Sequence, residues 1–257
     1  MTFQIVTVPC LSDNYSYLAH DLASGATAVI DVPEAGPILR ELAARDWKAS
    51  HILLTHHHSD HIDGVEALAA ATGAHVIGAA ADAHRLPPLD LAVAPGDTVR
   101  IGMQQGHVID VPGHTIGHVA YHFPEARALF TGDSLMVMGC GRLFEGTPAQ
   151  MWDTLTRLIE LPDGTRIFSG HEYAATNTRF ALTVEPDNAA LKTRADTIDH
   201  VRAAGGYTVP ATLAEERATN PFLRAALPEM KSALGMQDAS DLAVFTELRA
   251  RRNGFRG

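Results

Sequence analysis

With 257 residues, 46% of them hydrophobic and 19% charged, the chain is long enough to bury one large core, or a main domain with a smaller appendage. Its formal charge of -10 excludes the broad field of lysine and arginine that general nucleic-acid binding needs. Cys10 and Cys140 are too few for a disulfide framework, no basic leader runs into a long apolar segment at the start, and no apolar run approaches the ~18 residues of a membrane span. A cytoplasmic protein that engages neither nucleic acid nor membrane is expected.

Phe3 to Val8, Tyr15 to Ala19 and Ala26 to Val32 are short β-branched and aromatic runs separated by Asp13-Asn14 and Ser24-Gly25, which reads as a meander. Asp31, at the end of the third run, is placed either to orient a nearby histidine or to cap the helix that follows. Glu34 to Asp46 carries Ile38, Leu39, Leu42 and Ala43 at helical spacing and predicts an amphipathic cover for a sheet.

A strand from His51 to Leu54 then leads into Thr55-His56-His57-His58-Ser59-Asp60-His61, four imidazoles and a carboxylate in seven residues. Alternate side chains of an extended segment share a face, so His56 and His58 point together and His57 points away. That pair can grip one metal. Ser59 and Asp60 open helices and Ile62 to Ala71 reads as helical, which puts Asp60 and His61 at a strand-to-helix turn aimed at a second position. The bland alternative, a polar loop of solvated histidines, is outweighed by the density of the pattern and by its later partners.

Strands are expected at Ala74 to Ile77, Thr98 to Ile101, His107 to Val111 and Val119 to Phe123. Between the last two, Pro112-Gly113-His114-Thr115-Ile116-Gly117-His118 can turn tightly and present His114 as a third imidazole, with His118 behind it. Leu129-Phe130-Thr131 runs into Gly132-Asp133, whose carboxylate has lone pairs enough to bridge two cations. Gly139 to Gly146 is glycine-rich but lacks the lysine and hydroxyl of a phosphate loop, and Pro148 opens a helix to about Glu160. A strand at Arg166 to Ser169 delivers Gly170-His171, which would complete a second metal. Cys140 has no obvious base, and the other histidines stand alone in ordinary contexts.

From about Ala174 helical patterns dominate, at Tyr173 to Val184, at Asn188 to Ala204 and onward. A catalytic domain over 1–173 and a helical domain over 174–257 are expected. The last eleven residues carry Arg249, Arg251, Arg252 and Arg256 against Glu247, a basic end on an acidic chain and a candidate anion site.

Taken in order, the histidine motif, Gly113-His114, Gly132-Asp133 and Gly170-His171 resemble the metallo-β-lactamase superfamily, whose α+β fold is an αββα sandwich. Cys140 to Thr147, Gly170 to Tyr173, Thr219-Asn220-Pro221-Phe222-Leu223-Arg224 and Leu248 to Phe255 narrow the resemblance to the glyoxalase II (hydroxyacylglutathione hydrolase) family, over essentially the whole chain. The resemblance implies one metal on His56, His58 and His114, a second on Asp60, His61 and His171, and Asp133 as bridge, with Asp60 and Asp133 also the catalytic carboxylates. Arg142, Tyr173, Arg249 and Arg252 match glutathione-contacting positions. Phe144 stands where some members have Tyr, and Asn253 where Asp is usual.

Two divalent ions sharing a water supply hydroxide near neutral pH and polarise a carbonyl. A thioester fits best, because its thiolate leaves without a dedicated acid. The expected reaction is hydrolysis of S-D-lactoylglutathione to glutathione and D-lactate, the second step of methylglyoxal detoxification, by a monomer holding zinc, or iron or manganese, which the same ligands accept. A persulfide dioxygenase or lactonase of this fold is the rival reading, and a closed, non-catalytic metal module the third.

Overall fold

The computed structural model describes residues 3–257. The chain divides into two compact units, the first running to Val111 and including Gly117–Gly132, the second comprising Pro112–Ile116 and Asp133–Gly257.

The first unit is a sheet sandwich. One sheet has the order β1 (Phe3–Cys10), β2 (Asn14–Asp21), β3 (Thr27–Ile30), β4 (Ala49–Leu53), β5 (His75–Ala79) and β6 (Leu91–Val93), antiparallel through β3 and parallel from β3 to β6. Against it lie the antiparallel strands β7 (Thr98–Ile101), β8 (Gln104–Asp110), β9 (Val119–Phe123) and β10 (Ala128–Gly132). Alternate residues of facing strands meet in the interior: Phe3 and Phe123 are 5.2 Å apart between ring centroids, Tyr17 and Phe130 5.7 Å. On the opposite face of the first sheet, Ile38 and Leu42 of α1 (Ala35–Ala44) and Val65 and Leu68 of α3 (Val65–Thr72) share one core with Leu18, Val29, Ile52 and Val76. Each such aliphatic side chain contributes about 1.5–3 kcal/mol by leaving water.

The parallel strands position the histidine motif. Asp31 N donates to Leu53 O and Leu54 N to Ile77 O, so the segments leaving β3 and β4 emerge at the same sheet end, where open α/β sheets place their ligands. The helix expected over Ile62 to Ala71 is two pieces, α2 (Ser59–Ile62) and α3, broken at Asp63-Gly64. Close approach explains the break. Gly64 N donates to Val32 O, and a Cβ at Gly64 would stand 2.7–2.8 Å from the backbone of Glu34 and Ala35.

In the second unit α4 (Pro148–Leu158) starts with Thr147 and Gln150 capping each other reciprocally, and Trp152 packs on Phe245 of α9 (Asp241–Gly254) at 5.6 Å. Strand β13 (Arg166–Ser169) pairs with β14 (Ala211–Thr212), and β11 (Leu135–Met136) with β12 (Gly139–Cys140). Helices α5 (Ala174–Val184), α6 (Ala189–Ala203), α7 (Leu213–Thr219) and α8 (Pro228–Leu234) complete it, around Phe180, Phe222 and Phe245. The turn between β11 and β12 forces Met138 to φ +61, and the fully buried Glu216 of α7 holds it by accepting from Met138 N at 2.9 Å. Arg194 of α6 neutralises that carboxylate. The strands β6, β11, β12 and β14, two or three residues each, are too short to show a period in the sequence.

Gly64→Ala should lower unfolding stability by about 1–3 kcal/mol, because its methyl must displace backbone rather than a flexible side chain. Urea denaturation checks this; an unchanged midpoint would mean that α1 and α3 are not held at this spacing.

Candidate metal centre

In the first unit the hub is the carboxylate of Asp31, itself in the left-handed region at φ +54. Its Oδ1 accepts from Thr55 N at 2.8 Å, and its Oδ2 accepts from both Thr55 Oγ1 and His61 Nδ1 at 2.8 Å. The helix-cap alternative for Asp31 is thereby set aside. Thr55 has one hydroxyl hydrogen, which goes to Asp31, so at 3.0 Å from His56 Nδ1 it can only accept. Both His56 and His61 therefore carry the proton on Nδ1 and present a lone pair at Nε2. Asp31, His56 and His61 each have a ligating atom within 4.8 Å of the others, yet the bonds of Asp31 make it an orienting group.

His56 and His58 lie together, 4.8 Å between ring centroids, as alternation in an extended segment predicts. His57 turns the other way, its Nδ1 3.1 Å from the buried Asp82, which also takes Arg85 Nη2 at 2.6 Å. His118 stacks on His56 at 4.5 Å. Asp60 is held by Asn14, whose Nδ2 donates to its Oδ2 and its carbonyl, both at 3.0 Å. Neither Thr55 nor Asn14 stood out in the sequence: the first looks like a strand residue, the second like a turn residue.

The second unit brings together His114, Asp133 and His171, all buried. Asp133 Oδ2 is 3.4 Å from His114 Nε2 and 3.3 Å from His171 Nε2. His114 Nδ1 donates at 2.7 Å to the Arg142 carbonyl, which can only accept, so its Nε2 turns a lone pair toward a carboxylate oxygen. Two lone pairs at that separation repel unless a proton or a metal cation lies between them. The donor set thus fits a divalent metal, in both units, by its chemistry.

The four expected substrate contacts also lie in this unit. Tyr173, 38% exposed, stacks on His171 at 4.7 Å. Arg142 is exposed, with its guanidinium 5.8 Å from the ring of Phe144, which is itself 61% exposed. Arg252 donates through Nε and Nη2 to Asn177 Oδ1, and its pKa is lowered by desolvation and then by the nearby charges of Arg249 and Arg142. Arg249 is only 6% exposed; Nη1 donates to Cys140 O at 2.8 Å and Nε to Asn253 Oδ1 at 3.1 Å. Burial pushes the Cys140 thiol up, which disfavours a thiolate nucleophile.

The metallo-beta-lactamase superfamily model matches residues 14–171, and that for the hydroxyacylglutathione hydrolase C-terminus matches residues 172–255. A hydroxyacylglutathione hydrolase from Cereibacter sphaeroides is 61% identical over 255 residues, covering 99% of this chain and 100% of the relative. The chain belongs to the hydroxyacylglutathione hydrolase family. Among solved structures, ETHE1 from Myxococcus xanthus superposes with a TM-score of 0.65 at 27% identity, covering 98% of each chain. TTHA1623, solved in a di-iron-bound form, gives a TM-score of 0.54 at 31% identity over 65% of this chain and 91% of its own. The metallo-β-lactamase fold of the family, with its helical C-terminal region, is the one described above. No helix among the described residues is long and apolar enough to cross a membrane.

The Asp31 carboxylate accepts three hydrogens, and in Asp31→Asn an NH2 replaces one of its oxygens, so it faces either Thr55 N or both Thr55 Oγ1 and His61 Nδ1, donor against donor. Metal affinity should fall about 10–100-fold, with a stability loss of about 1–3 kcal/mol. Metal titration of the metal-free chain measures the first; full-affinity binding by the variant would remove Asp31 from its orienting role.

Proposed function

We propose that this family member hydrolyses S-D-lactoylglutathione and related S-(2-hydroxyacyl)glutathiones to glutathione and the hydroxy acid, D-lactate in the first case, as the second step of methylglyoxal detoxification. The observation that carries the reading is the 61% identity with a hydroxyacylglutathione hydrolase over 255 residues, 99% of this chain and 100% of the relative. The same match argues against the persulfide dioxygenase and lactonase readings.

His56, His58 and His114 are the proposed ligands of one divalent ion, Asp60, His61 and His171 those of a second, with Asp133 serving both. When bound, such a pair supplies a water of lowered pKa and an electrophile for the thioester carbonyl. The chain's own part is orientation. Asp31 and Thr55 fix the protons of His61 and His56, the Arg142 carbonyl fixes that of His114, and Asn14 holds Asp60, so the acceptors stay aimed without rearrangement. Asp60 and Asp133 are the proposed catalytic carboxylates, which would hold the nucleophile's proton. The imidazole and carboxylate set admits zinc, which we favour, and also iron or manganese; TTHA1623 holds a di-iron pair.

Residues 174–257 form the proposed substrate-binding domain, with Arg142, Tyr173, Arg249 and Arg252 at the glutathione moiety. The arginines are supported by their chemistry: glutathione carries two carboxylates, and a guanidinium meets a carboxylate with two hydrogen bonds. A cytoplasmic monomer belongs to this reading, in keeping with the two free cysteines.

Two metal equivalents per chain are expected, and a chelator should abolish hydrolysis. Asp133→Ala should be more damaging than His57→Ala or His118→Ala, since only Asp133 serves both ions. Full activity with one metal per chain overturns the dinuclear assignment.

Arg142→Ala and Arg252→Ala should each raise KM for lactoylglutathione about tenfold, which corresponds to roughly 1–2 kcal/mol of charge-assisted hydrogen bonding, with little change in kcat. A small thioester lacking the glutathione moiety is the control and should be hydrolysed by these variants as by the native chain. Equal losses on both substrates would detach the two residues from glutathione.

A further inference from the structure

Gly139 to Gly146 is described so far as a glycine-rich loop with one candidate substrate residue, but its contacts lead in two directions. Toward the metal ligands, Arg142 O takes the His114 Nδ1 proton at 2.7 Å, and Phe144 N and Glu145 N donate to His114 O at 3.2 and 3.3 Å. Gly141 N donates to Ser134 O at 3.1 Å, beside Asp133. A Cβ on Gly141 would fall 1.9 Å from Asp133 O and 3.0 Å from His114 Nδ1, so the loop backbone is pressed against both residues. Toward α9, the Cys140 carbonyl accepts from Arg249 Nη1 at 2.8 Å and the Gly141 carbonyl lies 3.5 Å from the same nitrogen. Arg249 is itself aimed by Asn253 at its Nε and by the Phe222 ring, 5.0 Å from its guanidinium carbon.

We infer that Arg249 is a positioning residue for the metal ligands as well as a substrate contact. Nη1 fixes the 140–142 backbone, whose next carbonyl sets the orientation of His114, while Nη2 makes no hydrogen bond among the described residues and remains for an anion. The C-terminal helix and the ligand His114 are thus joined by one guanidinium and three consecutive carbonyls. Arg252 differs: its bonds go to the Asn177 side chain, which donates to Val137 O and lies against Gly139, and among the described residues neither makes a hydrogen bond to the backbone at 140–142. The two arginines, alike in the sequence, should fail in different ways. This inference rests on the proposed ligand role of His114.

The test uses the full chain loaded with cobalt(II), comparing Arg249→Met, which keeps the apolar stem, with Arg252→Met. Three quantities are read: the rate at which a chelator removes cobalt, the visible spectrum of the bound cobalt, and kcat for a glutathione-free thioester. Arg249→Met should release cobalt about tenfold faster, shift the spectrum and lower kcat on the small thioester, whereas Arg252→Met should keep the native cobalt release rate and spectrum while raising KM for lactoylglutathione. Asn253→Ala, an exposed change that frees Arg249 Nε, should give the same effects at lower amplitude, and it decides the matter if Arg249→Met does not fold. Native release rate and spectrum in the folded Arg249 or Asn253 variants would overturn the inference and leave Arg249 a substrate contact only. Failure of the native chain itself to bind cobalt or cleave lactoylglutathione would instead overturn the proposed function.

Discussion

An imidazole can offer a lone pair to a cation only while its other nitrogen keeps the proton, and the acceptors of those protons organise the imidazole cluster in each unit. In the first unit a single carboxylate, Asp31, and the hydroxyl it captures, Thr55, settle His61 and His56 together. In the second unit a main-chain carbonyl, at Arg142, settles His114. The distinction matters energetically: a side-chain acceptor can rotate or titrate, whereas a carbonyl inside a loop moves only if the loop moves. The position of His114 is therefore tied to everything that holds residues 139–146.

That demand explains several departures from relaxed backbone geometry. Asp31 and Met138 occupy the left-handed region, where a residue other than glycine costs about 1–3 kcal/mol, and each is held there by strong partners. Asp31 is locked by three hydrogen bonds; Met138 is held by the buried Glu216, which Arg194 and Asn220 satisfy in turn. Gly132 and Gly141 admit close approach instead. At Gly132, with φ +47, a Cβ would lie 2.5 Å from Thr55 Oγ1, so the strand carrying Asp133 could not end beside the hub with any other residue. The glycines preceding or following proposed ligands in the sequence are thus requirements of packing density around a polar cluster.

Much of this was legible in the sequence because the ligand-bearing segments are local patterns: alternation separates His56 and His58 from His57, and Gly-His or Gly-Asp pairs mark strand ends. Most strands of the first unit were legible for the same reason, being long enough to show a period; β6, with three residues, was not. What was not legible is set by distance along the chain. Asn14 reaches Asp60, Asp82 reaches His57, and Arg249 reaches Cys140 across 46, 25 and 109 positions. No composition or period encodes such pairs. The break at Gly64 was hidden differently, because glycine in a helical pattern reads as a weak helix residue until the chain it must pass is known.

Charge gives the last step. Arginines of the second unit fall into two groups by the partner each has. Arg194 meets Glu216 and Arg224 meets Glu185 through Nε at 2.8 Å, neutral pairs that fasten helices. Arg249 and Arg252 meet carbonyls and the amides of Asn253 and Asn177, acceptors that orient a guanidinium without cancelling its charge. Arg142 adds a third cation, and the pKa of Arg252 is lowered by both neighbours after desolvation. Carboxylates at the positions of Asn177 and Asn253 would quench this field, whereas amides leave the repulsion among the three cations in place. On a chain of net charge -10 such a cluster cannot draw an anion from afar, because the summed charge repels it and salt screens the rest. It can retain one already in contact, where desolvated guanidinium groups act over a few ångströms. Selectivity for an anionic thioester would then reside in how long it stays, a property of the dissociation rate, while the acidic surface slows every anion equally on approach.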